Sequence, residues 1–463
     1  MQARPTAVRI DWIDPADLFR AGPAHESNAF WLDAGPDAAE GWSWMGVGAA
    51  ASRAPRDLAL AGRSAELGGG DDGVPGGFAG GWVGWIGYDG GTGAVGAPAQ
   101  MDADAPDEAG IDARSLIAFD HMRREAWIIA PEADLADARR EVDRWRQQAG
   151  DQPPFRDLDA TDIRVSSARH TPAVYAALIA RCREAIRAGD AYQLCLTTRF
   201  EVARDEPIDP VEAYLRLRRA LPAHHGGWVR VGEHALLSSS PERFLRVAQG
   251  VVRTHPIKGT RPRSHDPVPD AAAAAALVAS EKERAENVMI VDLMRNDLQR
   301  VCEPGSVAAE RLLEVESYSA VHQLVSTVAG RLRPGCTVGD LLDATFPAGS
   351  MTGAPKRSAM TILHDLESAP RGVYAGCFGW IGSDGALDLA MTIRSIVVHP
   401  RGAYVGAGGG ITWLSEAEDE LAEVAVKARG PLAALGAALP AGWAGLRGAD
   451  ASAAVESALP PVR

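Results

Sequence analysis

The segment TPAVYAALIARCREAIRAGD, residues 171–190, constrains the fold most, because it carries a complete set of helix signals. Thr171 can cap the N-terminus, Pro172 suits the first helical position, and Gly189 can end the helix. The apolar residues of one stripe are Tyr175, Leu178, Ile179, Cys182 and Ile186. A strand-like segment, AYQLCLTTRFEV, follows directly. From here on the sequence predicts long helices that alternate with short strands.

Composition limits the class of protein. A chain of 463 residues with 46% hydrophobic content can bury a large core, in two or three domains or one large sheet-based domain. Apolar runs stop well short of a membrane span, and the N-terminus lacks a signal peptide's apolar core, so we expect a soluble, cytoplasmic protein. A net charge of −14 argues against nonspecific nucleic-acid binding, but it allows a local cationic pocket for an anionic metabolite.

Changes in composition indicate three regions. Residues 1–160 are rich in Gly, Ala and Asp and contain the strand-like GFAGGWVGWIGYD at 77–89. The connector DQPPFRDLDATD places a domain boundary near residue 160, and the second region runs from 161 to 432. Residues 433–463 form an Ala/Gly/Pro-rich tail whose end we expect to be disordered. Five scattered cysteines without a C-x-x-C pair indicate neither a disulfide framework nor a zinc site.

Two predicted helices carry pairs of glutamates at the same spacing. The pairs are Glu283 with Glu286 and Glu420 with Glu423. Residues three apart share one helical face, so the two faces could together hold a hard cation such as Mg²⁺. The alternative is two solvated helices with ordinary pairing, of which Glu423 with Lys427 is an obvious example. The spacing alone leaves both interpretations open.

The glycine-rich stretch GAGGGI, residues 406–411, is predicted to be a turn before the second of these helices. Backbone N–H groups in such a turn can hold an anion, although a tight turn without a ligand remains an alternative. Ile411 stands where a dinucleotide fingerprint needs its third glycine, and GSMTGAPKRS lacks the spacing of a phosphate-binding loop. Ser415 and Glu418 are predicted to form a capping box at the start of that helix.

Lys258 lies between a Pro-Ile pair and a Gly-Thr turn in THPIKGTRPR, residues 254–263. A lysine on a solvated strand edge is one interpretation. Arg261 and Arg263 would favour a neutral amine if they face the lysine, and a neutral amine is a nucleophile. The segment by itself does not decide between them.

The ordered motifs from about residue 165 to 430 resemble the chorismate-utilising enzymes. They are DAYQLCLTTRF, SSSPERFL, HPIKGTRPR, ERAENVMIVDLMRNDL, FPAGSMTGAPK, YAGCFGWIG, MTIRS and GAGGGITWLSEAEDELAEVAVKAR. The N-terminal FAGGWVGWIGYD is similar to the corresponding region of the two aminating branches of that family. The resemblance implies an α+β fold of two large antiparallel β-sheets packed face to face, with helices outside and the active site between the sheets.

The resemblance also implies a site. Glu286 and Glu423 match direct Mg²⁺ ligands, and Glu283 and Glu420 match partners that act through water. The residues implied to bind chorismate are Tyr374, Arg394, Gly408, Gly409, Gly410, Ser350, Thr260 and Lys427. Among these, Tyr374, Arg394 and the glycine amides would hold the enolpyruvyl carboxylate, while Lys427 would lie near the metal.

Within the family, the lysine form at Lys258 resembles the aminodeoxychorismate synthase branch, which makes a precursor of 4-aminobenzoate and folate. There the lysine is proposed to attack ring C2, and Glu242 matches the acid that protonates the departing C4 hydroxyl. Gln323 stands where anthranilate synthases have a histidine, and His322, one residue earlier, points to the opposite strand face.

The remaining alternatives are anthranilate synthase component I and a non-catalytic metabolite sensor. Lys258 and Gln323 argue against the first, and retention of every acidic, cationic and glycine position argues against the second. None of the five cysteines lies in a glutaminase elbow, so we expect ammonia from a separate glutamine amidotransferase subunit in a heterodimer.

Overall fold

The computed structural model describes residues 5–51, 53–60, 74–150, 164–203, 208–318 and 321–446. The strands are β1 (Pro5–Ile10), β2 (Asn28–Asp33), β3 (Trp42–Ala51), β4 (Gly81–Ile86), β5 (Glu108–Asp120), β6 (Glu125–Pro131), β7 (Arg164–Val165), β8 (Ser167–Ala168), β9 (Gln193–Ala203), β10 (His225–Val231), β11 (His234–Ser240), β12 (Arg243–Ala248), β13 (Val251–Thr254), β14 (Ile257–Pro262), β15 (Ala308–Ser317), β16 (Val321–Arg331), β17 (Gly353–Ala354), β18 (Cys377–Gly382), β19 (Leu387–Met391), β20 (Ser395–His399), β21 (Gly402–Ile411) and β22 (Ala437–Ala438).

The helices are α1 (Pro15–Ala21), α2 (Thr92–Val95), α3 (Leu135–Ala149), α4 (Pro172–Ala188), α5 (Pro210–Ala220), α6 (Pro267–Ala279), α7 (Glu281–Gln299), α8 (Val338–Thr345), α9 (Lys356–Glu367) and α10 (Ala417–Ala434). Helix α4 has the predicted ends. Thr171 accepts a hydrogen bond from the Val174 N–H, and Gly189 closes the helix at φ +87°. Over the described ranges, no helix combines the length and the apolar composition that a membrane span needs.

Strands β3 and β5 belong to both of two antiparallel sheets. From this shared pair, one sheet continues through β2, β10, β11, β20 and β21 to β9. The other continues through β4, β18, β19, β12 and β13 to β16, which also pairs with β14 and β15. A β-bulge at Gly48 separates the two halves of β3. A Cβ there would lie 2.2 Å from the Asp112 carbonyl oxygen, so the bend requires glycine.

Three hydrophobic clusters lie between four layers, which are the two sheets and one layer of helices outside each sheet. Between the sheets, side chains of the first sheet such as Leu236 and Val397 pack with Val83 and Phe378 of the second. A second cluster lies between the first sheet and α4, α5 and α10, and a third lies between the second sheet and α7 and α8. The expected fold, two antiparallel sheets face to face with helices outside, is therefore confirmed.

The predicted domain boundary near residue 160 falls outside the described residues. Strands from either side of it pair directly, because β2 pairs with β10 and β4 pairs with β18. At the start of the predicted tail, Trp443 is 1% exposed and packs against Tyr175 and Phe200. The end of that tail, from residue 447, also lies outside the described residues.

Candidate active site

Lys258 lies among three carboxylates and next to the glycine strand. It interacts electrostatically with Glu242 of the β11–β12 connection, Glu286 of α7 and Glu423 of α10. A Cβ on Gly410 would lie 3.7 Å from the lysine Nζ. In β14, a register shift at Gly259 (φ +77°) separates Lys258 from the next paired residue of β16. The amine therefore faces a polar cleft instead of a solvated strand edge.

The two arginines after Lys258 are engaged elsewhere. Arg263 donates to the Asp270 carboxylate at 2.9 Å, and Arg261 lies 3.8 Å from a carboxylate oxygen of Glu283. They are therefore paired with carboxylates, and these contacts do not meet the condition under which they would favour a neutral lysine.

Glu242 is a buried carboxyl group next to the lysine. Its side chain accepts a hydrogen bond from the Ser350 hydroxyl, and the Oγ–Oε1 distance is 2.9 Å. Burial raises the pKa of Glu242 to about 7, although the positive charge of Lys258 and the Ser350 hydrogen bond oppose the shift. This carboxyl group can therefore hold a proton near neutral pH, as a general acid must.

The stretch GAGGGI is a strand and not the predicted turn. All six residues lie in β21 and pair with β9. Gly408 directs its carbonyl away from β9, because that oxygen accepts a hydrogen bond from Lys427 at 2.9 Å. Since backbone groups alternate along a strand, Gly410 points the same way and Gly409 points toward Leu196. Two of the three expected amides, those of Gly408 and Gly410, therefore lie on the edge that faces Lys427.

The four glutamates come from helices on different sheets, Glu283 and Glu286 from α7 and Glu420 and Glu423 from α10. Burial, together with the charge of Glu423, raises the pKa of Glu420 to about 7. Burial also raises the pKa of Glu286. In the part of the chain that the structure describes, no three His, Cys, Asp or Glu side chains come close enough to enclose a metal ion.

Lys427 pairs with Glu423, four residues earlier in α10, as their spacing suggested. Its ammonium lies 2.5 Å from the Glu423 carboxylate, and this charge lowers the pKa of Glu423. The predicted capping box is wrong, because α10 begins at Ala417 without a side-chain cap. Instead, the Ser415 hydroxyl donates to the Glu420 carboxylate at 2.7 Å. Ser415 therefore orients a carboxylate of the site.

Arg394 and Tyr374 lie on the same side of the cleft and interact electrostatically. Arg394 has a left-handed backbone, φ +52°, and burial lowers the pKa of its guanidinium. Its guanidinium has no hydrogen-bond partner within the described residues, so its donors are available to a ligand. Tyr374 is 8% exposed and packs against Gly406, where a Cβ would overlap its ring at 2.0 Å.

Thr260 is not brought into this group. It lies on β14 opposite Gln323 and is exposed. His322 is also outside the cleft, as the sequence predicted, because its ring bonds to Asp270 at 3.0 Å and to Ser317 at 2.8 Å.

Two buried amides lie in or next to the site but were not singled out from the sequence. Gln193 is 1% exposed, neither of its side-chain polar atoms has a hydrogen-bond partner, and its Nε2 lies 2.2 Å from where a Gly410 Cβ would be. A buried amide without a partner costs about 1–3 kcal/mol, which favours a role with a ligand. Asn287 donates to the carbonyls of Leu324 and Pro256 and so fixes α7 against β14 and β16. The only sequence signal was their place inside quoted motifs.

A family model described as chorismate binding enzyme matches residues 24–433. The chain belongs to this family. It is 43% identical over 348 residues to an aminodeoxychorismate synthase from Streptomyces pristinaespiralis, which covers 71% of this chain and 47% of the relative. Aminodeoxychorismate synthase component 1 from Klebsiella aerogenes is 41% identical over 333 residues, 70% of each chain. The chain thus spans about half the length of the Streptomyces relative.

A solved structure supports the fold of this family member. Anthranilate synthase component I from Streptococcus pneumoniae TIGR4 superposes with a TM-score of 0.68 at 28% identity, over 93% of this chain and 92% of that chain. The family fold therefore extends through both halves of the molecule.

Proposed function

We propose that this chain is the chorismate-aminating component of an aminodeoxychorismate synthase. It would convert chorismate and ammonia into 4-amino-4-deoxychorismate and water. The observation that carries the proposal is the position of Lys258, whose amine lies beside a buried acid, Glu242, and next to Gly410. The names of the two curated relatives, both aminodeoxychorismate synthases, support the same branch.

In the proposed reaction, two displacements replace one direct amination. The neutral amine of Lys258 forms a bond to ring C2, the ring double bonds shift, and the C4–O bond breaks. Glu242 gives its proton to the departing hydroxyl, which leaves as water. Ammonia then forms a bond at C4, the ring double bonds shift back, the C2–N bond breaks, and the lysine leaves as a neutral amine. The new C4 ammonium gives one proton to the Glu242 carboxylate, which restores the acid. A raised pKa suits Glu242 to this proton transfer.

The other residues bind and orient the substrate. Arg394 offers a free planar fork for a carboxylate, and Tyr374 lies beside it. The outward amides of Gly408 and Gly410 would add two donors. Ser350 would hold Glu242 in place through its hydroxyl.

The carboxylates fit Mg²⁺ better than a metal enclosed by protein ligands. Glu420 gains a raised pKa partly from the charge of Glu423, which is a repulsion that a cation would relieve. Mg²⁺ keeps several waters and needs few protein oxygens, so Glu286 and Glu423 could hold it with Glu283 and Glu420 acting through water. When bound, the ion would neutralise the ring carboxylate of chorismate.

We further propose that ammonia reaches the site from a glutamine amidotransferase subunit. The Klebsiella relative is named component 1, which is consistent with an enzyme of two components.

The test of the proposed function is the product of Lys258 variants. The wild type, given chorismate, Mg²⁺ and ammonium, should make the 4-amino product. Lys258→Ala should still bind chorismate, but ammonia would reach C2, so the product should shift toward a 2-amino compound. Lys258→Arg should be inactive, because guanidinium stays protonated at neutral pH.

Mass spectrometry of the products and of the intact protein, for a lysine adduct, measures both points. Formation of 4-amino product by Lys258→Ala at the wild-type rate would refute the covalent role. Anthranilate from the wild type would instead identify an anthranilate synthase.

A further inference from the structure

A buried ion pair lies behind the substrate side of the cleft. Glu367 ends α9, Arg371 follows four residues later, and both are 4% exposed. The guanidinium binds the carboxylate through two hydrogen bonds of 2.8 Å, from Nε and from Nη2. The Tyr88 ring lies under it, 4.2 Å from Cζ to the ring centroid. Neither charged residue is part of the site described above.

The remaining donors of Arg371 reach backbone groups beside site residues. Nη1 donates to the carbonyl of Met351 at 2.6 Å, and Met351 directly follows Ser350. Nη2 donates to the carbonyl of Cys195 at 2.8 Å, and Cys195 pairs with Gly410 between β9 and β21. One guanidinium therefore joins the turn of Ser350 to the strand behind the glycines.

Glu367 holds the same strand. Its Oε1 accepts a hydrogen bond from the Thr197 N–H at 2.8 Å, and Thr197 lies opposite Gly408. Strand β17 pairs only with Gln193 and Leu194, so within the described ranges no strand pairs with the outer edge of β9 at Cys195 and Thr197. The Cys195 N–H donates instead to the Thr352 carbonyl at 2.9 Å, which leaves the Cys195 carbonyl and the Thr197 N–H for the ion pair. The ion pair fills this gap and satisfies backbone groups that would otherwise be buried without partners.

Asp89 connects the N-terminal segment to this arrangement. Its Oδ2 accepts from the backbone N–H groups of Arg371 at 3.0 Å and Gly372 at 2.8 Å. Tyr374 follows two residues later. Asp89 and Tyr88 come from the WIGYD motif, for which the sequence suggested no chemistry.

We infer that Arg371, Glu367 and Asp89 are positioning residues for chorismate binding, an inference that rests on the proposed function. They fix the segments that carry Ser350, Gly408, Gly410 and Tyr374 relative to one another. A buried ion pair contributes little to net stability by itself, because desolvation offsets its attraction. Glu367 and Arg371 also form hydrogen bonds to other residues. Each of these side-chain bonds ends on a backbone group that lies in, or next to, a segment with a site residue.

Arg371→Lys tests the inference, since lysine keeps the charge but cannot form the planar fork. The measurement is the dissociation constant of chorismate with Mg²⁺, by calorimetry on the full chain, which does not require turnover. We expect the affinity for chorismate to fall about tenfold, because the variant loses charge-assisted hydrogen bonding that orders the segments of the site.

The matched control is Arg218→Lys. Arg218 also binds a buried carboxylate, Asp33, through two nitrogens and lies over an aromatic ring, Trp31, at 4.9 Å, but it belongs to α5. We expect it to lower the melting temperature and to leave chorismate affinity unchanged. Equal affinity losses in both variants, or a lower melting temperature with unchanged affinity in Arg371→Lys, would overturn the inference.

Asp89→Asn is the second variant, in case Arg371→Lys does not fold. It keeps one oxygen acceptor for two N–H groups and removes the charge. Weaker chorismate binding with an unchanged far-UV spectrum supports the inference, and wild-type affinity contradicts it. Wild-type protein that binds chorismate without aminating it would refute the proposed function and leave these affinity comparisons valid.

Discussion

Two carboxyl groups that interact with Lys258 have pKa values shifted in opposite directions. Glu242 is enclosed, and burial raises its pKa to about 7, whereas the ammonium of Lys427 lowers the pKa of Glu423. At neutral pH the first can give up a proton and the second stays charged. The two glutamates are therefore suited to different roles, Glu242 to proton transfer and Glu423 to cation binding.

We predict that Glu242 sets the pH dependence of turnover and that Ser350 adjusts it. A general acid must be protonated, so kcat should fall as pH rises through about 7, the pKa of Glu242. The Ser350 hydrogen bond favours the carboxylate, so Ser350→Ala should raise this pKa and move the fall in kcat to higher pH. Glu242→Gln should abolish the fall and lower kcat about 100-fold or more.

The control is Ser358→Ala, which removes a hydroxyl that donates to the Asp190 carbonyl on an exposed surface. Its kcat profile should match that of the wild type. If Ser350→Ala also leaves the profile in place, Glu242 is not the acid that limits the rate.

At the scale of elements, the sequence correctly predicted features that depend on residues close together in the chain. Helix α4 was predicted to its ends because Thr171 and Gly189 act within one turn of the residues they cap. Strand β21 was mistaken for a turn, because glycine disfavours strands unless a neighbour approaches closely. That neighbour is the Gln193 amide, which is far away in sequence.

We predict that Gly410→Ala inactivates the enzyme while the chain still folds. The new Cβ would overlap the Gln193 amide, which must move toward Lys258 or away from it. Either displacement disturbs the cleft, so we expect kcat/KM for chorismate to fall about 100-fold. Gly93→Ala is the control, because nothing lies within 4 Å of its Cβ position and it sits in helix α2. Equal activity in the two variants would remove Gly410 from the site.

At the scale of the whole molecule, the site combines residues from both sheets and from the helices that pack on them. Helix α7 packs on one sheet and α10 on the other, yet their glutamates share Lys258 as an electrostatic neighbour. Spacing predicted each pair on one helical face, but it carried no information about the distance between the pairs. The motifs identified most candidate residues through resemblance. They did not reveal the orientation of Gly409 or the isolation of Thr260, which depend on register.

We predict that Mg²⁺ stabilises the protein more at pH 8 than at pH 6. The folded pKa of Glu420 is about 7, above its ordinary value, so the folded state binds more protons between those two values. The free energy of unfolding should therefore fall as pH rises through this range, and a cation should restore it once the carboxyl is ionised.

Melting temperatures with Mg²⁺ and with EDTA at the two pH values measure this difference. Glu420→Gln should reduce it, and EDTA should leave the far-UV spectrum unchanged. A Mg²⁺ effect that is equal at both pH values would exclude Glu420 from the cation site.

The bulge at Gly48 has a consequence for variants far from the cleft. Strands β3 and β5 are shared by the two sheets, while Lys258 lies on β14 of the second sheet and Gly410 on β21 of the first. A side chain at Gly48 would overlap the Asp112 carbonyl and displace the strands that both sheets share. One sheet would then shift relative to the other, although the cleft itself is unchanged in sequence. Loss of activity can therefore originate at a residue that no substrate ever touches.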